Sequence, residues 1–198
     1  MKKLMALSTL LWASSLSFGQ TIASGEYDAG LKLAYDSTNH TLTGYYESYT
    51  GWDEASGQAK FSCIFYIRCM VTGRLFTVDT YYPNDPDNLI QGQVQMINDT
   101  TLGLQLHQEH GGCWNVQHFA DEPVEFRLEK RTVWKQIRYI VTDKAYFYSD
   151  PSLAKKQKSY LVKNDVVCID QITDEWAHCT FYGQATSKGW IRITDLNK

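Results

Sequence analysis

The stretch "LKLAYDSTN", residues 31–39, decides the fold class. Leu31, Leu33 and Tyr35 recur with period two, which puts one apolar face on an extended strand. The four residues that follow, Asp36-Ser37-Thr38-Asn39, bond readily to their own backbone and tolerate left-handed conformations, so the strand ends in a reversal. The same unit repeats along the chain. Alternation returns at Ile90, Val94 and Met96, at Leu102, Leu104 and Leu106, and at Val124, Phe126 and Leu128. Turn signals stand between, at Thr50-Gly51, Pro83-Asn84-Asp85-Pro86 and Asn98-Asp99.

No stretch before residue 130 carries a capped 3.6-residue period, so the reading is all-β, an antiparallel meander of seven or eight strands. It closes as a barrel or folds as a sandwich; consecutive hairpins and the removal of exposed edges on closure favour the barrel.

The N-terminus reads as an export signal over residues 1–19. Lys2 and Lys3 precede an apolar run from Leu4 to Leu16, and Ser17 and Gly19 are the small residues a signal peptidase reads. The mature chain is expected to begin near Gln20, in a bacterial periplasm or outside the cell, with no lipid-anchor cysteine and no membrane span. Removing Lys2 and Lys3 takes the formal charge from -3 to -5, which argues against a nucleic-acid partner. An apolar content of 43% marks a folded chain, read as two domains, 20–132 and 138–198. Lys130, Arg131, Lys135 and Arg138 imply an accessible connection between them.

The second domain carries a resemblance. "AYFYSDPS" from Ala145, "KSYLVKNDVVCIDQI", "EWAHC" and "KGWIRITDL" resemble the bacterial SH3 domain, through Tyr146, Pro151, Tyr160, Leu161, Asp165, Trp176, Gly189, Trp190, Ile191 and Leu196. The chain has Asn164 where that family often has Gly, and Tyr146-Phe147-Tyr148 where it often has an Asn-x-Arg segment. The resemblance implies a small β-barrel and a peptidoglycan or protein partner, with Tyr146, Tyr148, Trp176 and Trp190 as binding residues.

Five cysteines constrain the rest. Cys168 and Cys179 lie on either side of the Thr173-Asp174 reversal, so a simple hairpin places them opposite each other and predicts a disulfide. Cys63 and Cys69 share a strand face but stand ~20 Å apart at ~3.3 Å per residue, too far to bond. One of them is expected to pair with Cys113, leaving the other as an odd thiol.

"HGGCW", His110 to Trp114, therefore has two readings. One is a Gly-Gly turn that delivers Cys113 to a disulfide. The other is a thiol nucleophile with His110 or His118 as base. A nucleophilic cysteine is activated at a helix N-terminus, and Asn115 to Pro123 offers no helix, so the disulfide is expected. Tyr45, Tyr46, Tyr49 and Trp52, with Glu47 and Asp53, are either a binding rim or a strand end.

"NDPDN", Asn84 to Asn88, lacks the glycine and distal glutamate of a calcium loop. His107, His110 and His118 complete no zinc motif, so neither metal nor cofactor is implied. Two functions remain: an exported non-catalytic binding protein, an inhibitor or immunity protein against a wall-degrading enzyme or a wall binder, and a cell-wall cysteine hydrolase using Cys113 and His110.

Overall fold

A computed structural model of the chain describes residues 22–83 and 85–198. The segment expected to be an export signal, residues 1–19, and Asn84 lie outside the described residues. The fold is all-β, with no α-helix among the described residues and four short 3₁₀ turns.

Eight antiparallel strands close a barrel in sequence order: β1 (Gly25–Tyr27), β2 (Leu31–Asp36), β3 (Thr41–Asp53), β4 (Gln58–Met70), β5 (Leu75–Tyr82), β6 (Asp85–Met96), β7 (Thr101–Leu106) and β8 (Val124–Arg131), with β1 paired to β8. The sandwich alternative is thereby set aside. The opening stretch behaves as its pattern predicts. Strand β2 pairs with β3 from Leu31↔Tyr46 to Asp36↔Thr41, and the turn is held by Asp36 Oδ1 accepting from Thr38 N at 3.0 Å and Asn39 Oδ1 accepting from Thr41 N at 3.1 Å.

Inward residues of every strand fill the barrel. Leu33, Leu42, Tyr46, Phe65, Val78, Leu104 and Phe126 belong to one core, so the interior is packed protein. Strands β3 and β4 run on beyond this core as an exposed arm that carries Tyr49, Trp52 and Phe61.

Six further strands form a second antiparallel sheet: β9 (Gln136–Tyr139), β10 (Ala145–Tyr148), β11 (Lys156–Leu161), β12 (Val166–Ile172), β13 (Trp176–Tyr182) and β14 (Thr186–Arg192), in the order β11-β10-β14-β13-β12-β9. Its inward residues, among them Phe147, Leu161, Ile169, Cys179 and Ile191, converge on a core of their own.

A third cluster joins the two sheets. Ala34, Tyr45, Tyr66 and Tyr81 from the outer wall of the barrel pack against Trp134, Ile137, Tyr139 and Cys168. The connection between the sheets is exposed at Lys130, Arg131, Val133 and Lys135, as its charges imply, and is pinned at Trp134 and by backbone hydrogen bonds. Trp134 is buried, Lys135 N donates to Ile169 O at 2.7 Å, and Ile137 N donates to Thr43 Oγ1 at 2.8 Å.

The cysteines correct one expectation and complete another. Cys63 is bonded to Cys113, while Cys69, Cys168 and Cys179 are free thiols. The expected Cys168–Cys179 disulfide is absent because β12 and β13 are out of step by one residue. Cys168 stands opposite Thr180 and Ile169 opposite Cys179, with a bulge between Ile169 and Gln171. A one-residue offset sends two side chains to opposite faces. Cys168 therefore faces the barrel and Cys179 the core of its own sheet.

Burial pushes the Cys69 and Cys168 thiols up to about 12, so neither holds much thiolate at neutral pH. Unreduced protein opened in strong denaturant should bind three equivalents of a thiol reagent. Native protein should label slowly, at half-buried Cys69 first; rapid native labelling of Cys63 or Cys113 would contradict the assigned disulfide.

Candidate functional site

The face of the second sheet that points away from its core is built by strand parity. On β13, Ala177 and Cys179 face the core, so Trp176 and His178 face outward. On β10, Ala145 and Phe147 face the core and Tyr146 and Tyr148 face outward. Cross-strand pairing then sets the outward residues side by side: Tyr148 opposite Trp190, Trp190 opposite His178, and Tyr146 opposite Tyr160.

The result is three pairs of rings set on one face over several strands. Tyr148 and Trp176 meet edge to face at 4.8 Å and are only 7% and 6% exposed, so they form its floor. His178 lies 5.3 Å from Trp190, and its Nδ1 is 2.7 Å from Asp170 Oδ1. That hydrogen bond fixes the imidazole beside the half-buried indole. At the other end Tyr146 and Tyr160 stand 5.6 Å apart, with Lys156 Nζ 3.4 Å above the first ring and Lys144 Nζ 4.7 Å above the second. Tyr160 is 45% exposed and is the most open ring of the set.

Four of the residues picked out in sequence, Tyr146, Tyr148, Trp176 and Trp190, are thus brought onto one face. The other four are dispersed. Tyr46 is 1% exposed and lies inside the barrel, stacked on Phe65 at 5.1 Å, so it belongs to no binding rim. Tyr45, its neighbour on the opposite face of β3, is buried between the two sheets against Tyr66 at 5.0 Å. Tyr49 and Trp52 alone remain exposed, 6.5 Å apart on the barrel arm, with the Tyr49 hydroxyl donating to Glu47. Sequence reasoning missed His178, Asp170, Lys144 and Lys156. For His178 a usable signal existed, since it shares outward parity with Trp176.

The His110–Trp114 segment does different work. It opens a long crossing from β7 to β8 that returns over one end of the barrel, tied down at Cys63–Cys113. Gly112 has φ 88, and a Cβ there would lie 2.3 Å from Ser62 O, so the approach to β4 requires glycine. Past it the chain makes only a three-residue 3₁₀ turn, Cys113–Asn115.

His110 is buried and stacks on Phe65 at 4.9 Å, with Nε2 2.8 Å from Thr80 Oγ1. Burial lowers its pKa from 6.5 to about 4. Glu109 accepts from Phe119 N and Ala120 N at 2.7 and 2.8 Å, closing the crossing on itself. The sulfur of Cys113 is committed to Cys63, so the pair Cys113 and His110 has no thiol to activate. His118 lies against Trp114 on this crossing, its Nδ1 3.6 Å from Asp121. No group of three His, Cys, Asp or Glu side chains is arranged for a metal among the described residues.

Compared with known proteins, the chain gives no significant match to a protein-family model, a curated protein or a solved structure.

Proposed function

We propose that this chain is an exported, non-catalytic binding protein of the bacterial cell envelope, and that it engages a protein or peptidoglycan partner through the outer face of its second sheet. The observation that carries the reading is the row from Tyr160 and Tyr146 through Trp190 to His178. It places aromatic surface on a rigid sheet with an ordered floor, where binding costs little side-chain ordering. The resemblance of residues 138–198 to bacterial SH3 domains points the same way. So does the disulfide, which belongs to an oxidising compartment. No helix among the described residues is long and apolar enough to cross a membrane.

One specific form is an inhibitor or immunity protein against a wall-degrading enzyme, for which a mature charge of -5 assists encounter with a basic partner. The alternative, a cysteine hydrolase with an SH3-like targeting module, has no observation in its favour here.

The test uses the mature chain with isolated cell-wall sacculi and, separately, with a basic muramidase whose activity is followed. Trp190→Ala should weaken whichever interaction is found by about tenfold or more, the usual cost of losing an aromatic anchor. Trp52→Ala on the barrel arm should change it little. Equal affinity of wild type and Trp190→Ala for the partner would refute the assignment of this face.

A further inference from the structure

The proposed binding face is electrically lopsided. Between Asp143 and Asp165 the chain carries five lysines, Lys144, Lys155, Lys156, Lys158 and Lys163, against three acids, Asp143, Asp150 and Asp165, while the chain as a whole has a formal charge of -3. None of the five is in an ion pair with a carboxylate among the described residues. They gather on and around β11, the open edge of the second sheet. Tyr160 faces outward with Tyr146, and Lys158 stands exposed beside it, in the stretch of β11 where the register with β10 slips. Lys156, opposite Tyr148 across the bulge, reaches the same side, with its ammonium over Tyr146.

Lysine on an open edge strand guards against sheet-to-sheet pairing, and that alone accounts for Lys156 and Lys158. It does not account for Lys144, Lys155 and Lys163, which lie outside the strand. Nor does it account for two neighbouring tyrosine rings, each left with an ammonium as its cover.

We infer that this end of the face binds an anionic polysaccharide. The apolar C–H face of a sugar ring packs on Tyr146 or Tyr160. The lysine above that ring swings aside on its flexible stem, and its ammonium meets the carboxylate or phosphate of the same or the next residue. The cation–π contact holds the ammonium near the ring until the anion arrives, at small cost because the site is exposed. A protein partner fits this end less well, since the cores of protein interfaces are depleted in lysine. The inference rests on the reading of the outer face as the binding surface, and it names the ligand class for one end of it.

The experiment measures binding of the mature chain to polygalacturonate, to neutral dextran, and to vesicles containing phosphatidylglycerol. Binding to polygalacturonate is expected, with dextran bound negligibly. Affinity should fall about tenfold when salt is raised from about 50 to about 300 mM, and by a similar factor in Lys156→Gln/Lys158→Gln. Both lysines are exposed, so the variant should fold, which a circular dichroism spectrum checks. Equal binding of dextran and polygalacturonate, unmoved by the lysine substitutions, overturns the inference. So does binding to the anionic vesicles without binding to polygalacturonate. Trp190→Ala reports on the face as a whole and the lysine pair on the polyanion, so the two readings fail separately.

Discussion

Replacing Cys63 and Cys113 together by alanine is expected to cost about 4 kcal/mol of stability, since it removes a cross-link buried in the barrel core. The bond spans a sequence separation of 50, and its loss returns that loop-closure entropy to the unfolded chain. For a chain of this size the loss corresponds to a fall in Tm of about 10 °C, and a melt of wild type beside the double variant checks it.

The damage should be local first. Without the bond, the crossing that follows β7 keeps Leu106 N to Phe119 O at 2.9 Å, the two bonds to Glu109 and the packing of Phe119 against Tyr46 and Phe65. Amide exchange should therefore accelerate between about residues 107 and 123 before it does in the second sheet. A double variant that melts with wild type, under conditions where the bond is shown to form, would mean that these remaining contacts already hold the crossing in the unfolded ensemble.

Much of the barrel was legible because period two is a strong signal wherever one face is buried. Leu31, Leu33 and Tyr35, or Leu102, Leu104 and Leu106, announce their strands, and Asp36 to Asn39 announces the turn. What a single strand cannot announce is which neighbour it meets and in what register. The Cys168–Cys179 pairing failed on a turn centred one residue later than expected, which sets Ile172 opposite Ala177, and on a bulge beside Asp170 that turns the two sulfurs to opposite faces.

Tyr45 and Tyr46 show the same limit from the other side. Both are aromatic and adjacent, and alternation sends one into the barrel and the other out. The outward one is buried all the same, because Trp134, Ile137 and Tyr139 cover that wall. The aromatic face of the second sheet was half legible. Its rings stood out by composition, but their union on one surface needed the order β11-β10-β14-β13-β12, which places Tyr160 and His178 at two ends of one row though 18 residues of chain separate them.

The second large effect concerns acid. His110 donates from Nε2 to Thr80 Oγ1, because the one proton of that hydroxyl goes to Ile90 O at 2.7 Å. Nδ1 is then the unprotonated nitrogen, and adding a proton there puts a charge on a desolvated ring stacked on Phe65. The folded pKa, about 4, lies below the ordinary value of 6.5, so the fold favours the neutral ring. Below pH 6.5 the unfolded chain binds the proton that the folded chain refuses. The stability associated with a neutral His110 is complete above about 6.5, falls as pH drops, and is gone below about 4. Over that window the loss amounts to about 3 kcal/mol.

His110→Gln isolates this contribution. Glutamine can still donate to Thr80 but cannot take up a proton, so the variant should start out less stable at pH 7, having lost the stacking on Phe65. The gap between wild type and variant should then close by about 3 kcal/mol as urea titrations are carried down to pH 4. Other titrating groups, including Asp195 with its carboxyl raised by burial, are common to both proteins and cancel in the difference. A gap that stays constant across the window would show that His110 is protonated in the fold without penalty, and that the end of the barrel under the Cys63–Cys113 bond is open to water.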